Sequence, residues 1–169
     1  MPVIKHKQHI EAAADVCFNL ARKAKDPTRT TTKTISKAAG NKKKELLEEG
    51  DLMIWETEKF GFNQRVSAEV TYLDEPFKIV SMMVNGALFH SFTHIREFIE
   101  ISDGTMMICT FEYRAPFGPI GIIANKLFLE KQIREFIASR ANALKVLAES
   151  GNSTNWKRPK DLFSGSEPI

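Results

Sequence analysis

Cysteine is scarce in this 169-residue chain: Cys17 and Cys109 are the only two, and they form no Cys-x-x-Cys pair. That excludes a disulfide scaffold and makes a reducing cytoplasm the expected compartment. Charge of one sign is also lacking. A net charge of +3 is too mild to name a nucleic-acid partner by itself. Long hydrophobic runs are missing as well. No stretch approaches 18 uncharged apolar residues, and the first thirty residues hold no run fit for a signal peptide, so neither membrane insertion nor secretion is expected. Internal repeats are absent. What remains is ordinary, with 43% hydrophobic and 27% charged residues, a composition that excludes wholesale disorder. A single domain of this length buries roughly 68–70% of its unfolded surface, enough for a core without staples.

The pattern along the chain divides it into elements. Val3 to Ile10 reads as a first strand with a poor apolar pattern, suited to a sheet edge. In Glu11 to Lys25, Ala13, Val16, Cys17 and Leu20 recur at helical spacing, and Asp26-Pro27 stops the helix. Thr28 to Ser36 is threonine-rich, as a strand would be, and leads into a polar segment, Ala38 to Gly50. Leu52 to Phe60 is the next strand, and Gly61 a turn. Phe62 to Tyr72 then alternates, with Phe62, Val66, Ala68, Val70 and Tyr72 on one side, the period-2 mark of a sheet wet on one face. Asp74-Glu75-Pro76 turns the chain into Phe77 to Val84, and Asn85-Gly86 reads as a hairpin turn. Leu88 to Ile101 and Thr105 to Arg114 follow as long strands joined through Asp103-Gly104.

After Ala115-Pro116-Phe117-Gly118-Pro119 the period changes to that of a helix. Ile120, Ile123, Leu127, Ile133, Ile137, Ala141, Leu144 and Ala148 form an apolar stripe about 30 residues long. Pro119 suits its first turn and Gly151 its end. Residues 151–169 read as a flexible tail beyond a domain spanning 1–150. An antiparallel sheet with one apolar face, followed by one long helix, makes a two-layer α+β domain. A long twisted sheet curls around such a helix and leaves a tapered gap, the kind of place where small ligands bind.

Four stretches add a resemblance: Gly50-Asp51-Leu52-Met53-Ile54-Trp55, Gly86-Ala87-Leu88-Phe89-His90-Ser91-Phe92-Thr93-His94, Gly104-Thr105-Met106-Met107, and Tyr113-Arg114-Ala115-Pro116-Phe117-Gly118 onward to Arg140. With the element order, they resemble the helix-grip fold of the START-like superfamily, and more specifically a bacterial SRPBCC family of polyketide cyclase/dehydrase-like proteins, over about residues 1–150. The resemblance implies a curved antiparallel sheet wrapped around a long C-terminal helix, with a short helical segment after the first strand. It also implies a hydrophobic small-molecule cavity, usually without metal or dissociable cofactor, and no single reaction, because the fold hosts carriers, cyclases, hydrolases and binders. Relatives often carry His-x-His where this chain has His94-Ile95-Arg96, and an aspartate where it has Cys109, so part of any acid–base chemistry in relatives is lost here.

Taking Asp103-Gly104 as a two-residue turn sets His94 opposite Tyr113, Arg96 opposite Phe111 and Phe98 opposite Cys109, all on one face. The other face pairs Ile95 with Glu112, Glu97 with Thr110 and Ile99 with Ile108. The first face also carries Phe92 and is assigned to the cavity. His94, Arg96 and Tyr113 are then polar groups in an aromatic wall, able to hydrogen-bond a ligand's carbonyl, carboxylate or phenol, with His94 able to shuttle a proton and Arg96 a fixed positive fork. The plainer alternative is that they satisfy one another. Trp55 and Phe62 are candidates for the same space, as are Leu127 and Ile137 of the helical stripe. Arg140 is expected to reach solvent.

Other chemistries fit less well. His90 and His94 lie about 13 Å apart along one strand, too far to share an ion. No HExxH, Cys-x-x-Cys or carboxylate cluster has metal spacing, and no phosphate loop or dinucleotide fingerprint is present, so neither metal nor cofactor is expected. Cys17 reads as packing, and Cys109 lacks a firm thiolate-stabilising partner. The basic run of Arg29, Lys33, Lys37 and Lys42 to Lys44 has no interleaved aromatic, so a solvated face is expected and not nucleic acid. Three functions follow in order. The first is binding of a small hydrophobic or amphipathic molecule, lipid-, polyketide- or aromatic-like, between sheet and helix. The second is a cyclase or dehydratase with His94 as acid or base. The third is a homodimer joined through an Ile95, Ile99, Ile101 and Ile108 face.

Overall fold

Alternation of apolar and polar residues builds one antiparallel sheet. In the computed structural model, which describes residues 2–23, 32–35, 46–57, 64–86, 89–114 and 122–151, its strands are β1 (Val3–Ile10), β2 (Thr32–Ile35), β3 (Leu52–Thr57), β4 (Gln64–Asp74), β5 (Lys78–Gly86), β6 (Ser91–Ile101) and β7 (Gly104–Arg114). A short helix, α1 (Ala14–Ala21), follows β1, and a 30-residue helix, α2 (Ile122–Gly151), ends the described chain. The strand order β1-β7-β6-β5-β4-β3-β2 puts the weakly patterned β1 at an edge, as its sequence suggests. This is the helix-grip architecture: a curved sheet whose inner face takes α1 and α2.

Along β6 the side chains alternate without interruption. Phe92, His94, Arg96 and Phe98 point inward and are buried. On β7 the inner set is Thr105, Met107, Cys109, Phe111 and Tyr113, and on β4 it is Val66, Ala68 and Val70. Against this face α2 lays Ile133, Ile137, Ala141 and Ala148, all buried, with Leu144 half-buried. The C-terminal end of α2 is pinned to the first strand: Lys145 Nζ donates to the carbonyl of His9 at 3.0 Å, and the Glu149 carboxylate accepts the N–H of Glu11 at 3.0 Å.

Four sequence expectations are corrected. The β6–β7 turn is Ser102-Asp103, not Asp103-Gly104, because Ile101 pairs with Gly104. Gly104 serves a different need. It has φ +147°, and a Cβ there would meet the carbonyl oxygen of Ile10 at 2.1 Å, so glycine is required for the close passage of the β1–α1 connection. Asn85-Gly86 is not a turn either. Both residues lie within β5, paired with Ser67 and Val66, beyond an irregularity that shifts the register at Ser67/Ala68. A second shift between Val70 and Tyr72 turns Tyr72 outward, away from the set that alternation alone gave it.

The first helix is also shorter than Glu11 to Lys25. At its end the backbone is drawn off into tertiary pairing: Lys23 bridges Leu46, Leu47 N–H donates to Arg22 O at 2.7 Å, and Arg22 Nε donates to Leu47 O at 2.9 Å. Asp26-Pro27, Gly61, residues 36–45, Pro119, Ile120 and the expected tail after Gly151 lie outside the described residues, and so do the side chains of Ile123 and Leu127.

Candidate functional site

The observed register brings the polar inner residues into rows across the sheet. Ser81 of β5 faces His94 of β6, which faces Phe111 of β7. One row on, Ile79 faces Arg96, which faces Cys109. Tyr113 lies opposite Phe92, and Met107 opposite Phe98. Each partner thus differs by two positions from the expected one. A shift of two keeps every side chain on its face, so the face assignment stands while the pairings change.

Two groups of side chains flank His94. On one side is an aromatic cluster. Phe92 stacks on Phe111 with centroids 4.9 Å apart, and Phe89 meets Phe92, Phe111 and Tyr113 edge-on at 5.6–5.8 Å. The His94 ring is 5.7 Å from Phe111. On the other side is a cavity of about 40 Å³. It is lined by Leu20 and Ala21 of α1, His94, Arg96, Met107 and Cys109 of the sheet, and Ile137, Arg140, Ala141, Leu144 and Leu147 of α2. That volume holds roughly three water molecules, well short of the roughly 300–1,000 Å³ of a drug-sized ligand pocket. The cavity that the described residues bound is therefore a small one.

Of the sequence candidates, His94, Arg96, Cys109 and Ile137 line this cavity. Phe92, Phe111 and Tyr113 lie in the aromatic cluster beside it, and Phe98 packs under α1 against Phe18 at 5.8 Å. The side chains of Trp55, Phe62 and Leu127 are outside the described residues. Arg140, expected in solvent, instead lines the cavity half-buried, with its guanidinium 5.1 Å from the Phe136 ring centroid. Phe89, Met107 and Leu20 were missed. Phe89 falls within the expected strand Leu88 to Ile101, where alternation sets it on the face opposite Phe92, but β6 starts only at Ser91, and the placement of Leu20 depends on how α1 docks. The Ile95, Ile99, Ile101 and Ile108 set does face away from α2, with Ile99 exposed and the others half-buried.

Burial controls the chemistry here. Loss of hydration, helped by the nearby Arg96 charge, lowers His94 to a pKa of about 3, so the imidazole is neutral at physiological pH. Burial raises the Cys109 thiol to about 11, with Arg96 opposing, which leaves no thiolate for nucleophilic work. Burial also raises Tyr113, and Glu130 of α2 adds to the rise against Arg134. Arg96 is anchored by a donation from its Nη1 to the carbonyl of Ala21 at 3.0 Å, which caps the negative end of α1. Buried polar atoms of this region without a hydrogen-bond partner among the described residues include His94 Nε2, Tyr113 OH and Ser81 Oγ. No group of three His, Cys, Asp or Glu residues that could hold a metal ion occurs among the described residues. No described helix is long and apolar enough to cross a membrane.

Solved structures share this architecture. The chain is similar to a protein of Thermus thermophilus (20% identity, TM-score 0.69, covering 90% of this chain and 100% of that one). It is also similar to a START superfamily protein of Mycobacterium smegmatis (15%, 0.64, 88% and 97%). A third similar structure is the Zhui aromatase/cyclase of a Streptomyces species (14%, 0.70, 90% and 96%). No protein-family model matches the chain, and no curated protein matches it significantly in sequence. At these identities the likeness establishes the START-like fold and leaves activity open.

Proposed function

We propose that this chain, with its START-like helix-grip fold, binds a small amphipathic molecule between the sheet and α2. The observation that carries this reading is His94 Nε2, a buried polar atom with no hydrogen-bond partner among the described residues, on the wall of a cavity whose other lining is apolar apart from Arg96 and Arg140. Each unsatisfied buried group costs about 1–3 kcal/mol, and a ligand that supplies the missing partner recovers that cost on binding. The polar head reaches His94 in the cavity, and the apolar body lies against its aliphatic lining, Leu20, Ile137 and Leu144.

Catalysis by His94 is the weaker reading. With a pKa of about 3, its imidazolium is almost absent at neutral pH, so it cannot serve as general acid there, and it is a feeble base. The likeness in fold to an aromatase/cyclase does not supply the missing proton donor. His94→Gln separates the two readings: a binder loses affinity, whereas an enzyme loses turnover and keeps most of its affinity.

Native mass spectrometry of the protein purified from its own host tests the proposal. A co-purifying small molecule is expected. Its absence, together with no melting shift across a panel of lipids and polyphenols, would sink the binding reading.

A further inference from the structure

His94 is the polar group on the cavity wall that its surroundings leave unsatisfied. It is only 9% exposed, and its Nε2 has no hydrogen-bond partner among the described residues. Arg96 and Arg140 stand on the same wall, but both have partners of their own, Ala21 O for Arg96 and the Phe136 ring for Arg140 among them, so neither is assigned to a ligand. Around them the lining is mostly aliphatic, as at Leu20, Ile137 and Leu144. Cys109 adds an un-ionised thiol, since burial raises it to about 11.

This wall discriminates between head groups. Loss of hydration is the larger cause of the fall of His94 to about 3. An ion set beside it loses hydration in the same way, at far greater cost than a neutral group. The neutral imidazole keeps a lone pair on one ring nitrogen and a proton on the other. An ether oxygen meets only the protonated nitrogen, whereas a hydroxyl, which donates and accepts, meets either. A cavity of about 40 Å³ also suits a chain end better than a ring, since benzene occupies an engineered cavity of about 150 Å³. We propose that the cavity takes the hydroxyl end of an uncharged aliphatic molecule, with its O–H donating to the unprotonated ring nitrogen of His94 and its chain against Leu20, Ile137 and Leu144. This deepens the binding reading above and rests on it.

The test is an NMR titration of the full, isotope-labelled chain at pH 7.5 with five small probes: butan-1-ol, its isomer methyl propyl ether, butanoate, butylamine and phenol. Affinity is read from the backbone amide shifts of the lining residues, and contact from the imidazole nitrogen shifts of His94. Butan-1-ol binds about fivefold or more tighter than the ether, as one added hydrogen bond predicts. Butanoate and butylamine, which are ions at that pH, bind more weakly still. Phenol, the same hydroxyl on a ring, is also weaker than butan-1-ol. In His94→Leu the alcohol and the ether bind alike. Any of the other four probes matching butan-1-ol overturns the assignment and leaves the binding reading intact, and so does an alcohol preference that survives in a folded His94→Leu protein. Binding of none of the five overturns both. The wild-type ranking needs no variant, so a failure of His94→Leu to fold does not remove the test.

Discussion

Two stretches of the same inner sheet face are built to different standards. Under α1, Phe98 meets the Phe18 ring edge-on at 5.8 Å, and the buried Thr105 hydroxyl donates to Ala12 O at 2.7 Å. Apolar surface is matched there by apolar surface, and the hydroxyl has its acceptor. Four residues back along β6, His94 is also enclosed, yet its Nε2, Ser81 Oγ and Tyr113 OH go unmet among the described residues. The first stretch is what a core needs for stability. The second gives up stability at several atoms at once, and one of them, on His94, borders the cavity between sheet and helix. The contrast separates scaffold from site within one face.

The largest effect should come from the scaffold side. Phe98→Ala removes a ring that is 1% exposed and should cost about 3–5 kcal/mol in urea denaturation. A loss under about 1 kcal/mol would mean the region under α1 is as loosely satisfied as the site.

Acid comes next, and it probes the site. The folded pKa of His94 is about 3 against an ordinary value of 6.5, so between those limits the unfolded chain binds a proton that the folded chain refuses. The contribution is nil above about pH 7. Stability then falls with pH, by about 3 kcal/mol at pH 4. Other groups titrate too, so the quantity to read is the difference between wild type and His94→Leu in denaturation at pH 7 and pH 4. Equal acid losses in the two proteins would show that His94 takes its proton without resistance.

At neutral pH, His94→Leu should stabilise the ligand-free protein by about 1 kcal/mol, since an orphaned polar group is replaced by an apolar one, while weakening ligand binding. A destabilisation instead would place a partner at Nε2 and erase the contrast with Phe98. The smallest effect belongs to Tyr113→Phe. Removing an unbonded hydroxyl should leave stability unchanged or raise it by less than about 1 kcal/mol, as read from melting temperature. A clear loss would show that the hydroxyl already has a partner.

Much of this contrast could be read from the chain, though not the partners. Strict alternation in β6 and β7 put Phe92, His94, Arg96, Phe98, Cys109, Phe111 and Tyr113 on one face, and the turn error left that list intact because it moved the register by two. Had the error been one, the Ile95–Ile99 face would have been taken for the interior. Arg140 was misjudged because a long side chain near a helical stripe can point either way, and only the docking of α2 against α1 and the sheet decides. Gly104 reads as a turn residue in the sequence, but its missing Cβ is needed for the crossing of Ile10, a residue far from it in the chain.

The sequence by itself determined the order of the main elements, the faces of β6 and β7 and the two-layer class, because period and parity are local properties that side-chain chemistry imposes on the backbone. The tertiary structure alone decided how much space the layers leave, which polar atoms lose their water without gaining a partner, and that His94 is neutral. Those outcomes depend on distances between segments far apart in the chain, and hydration is lost only when the segments close on one another.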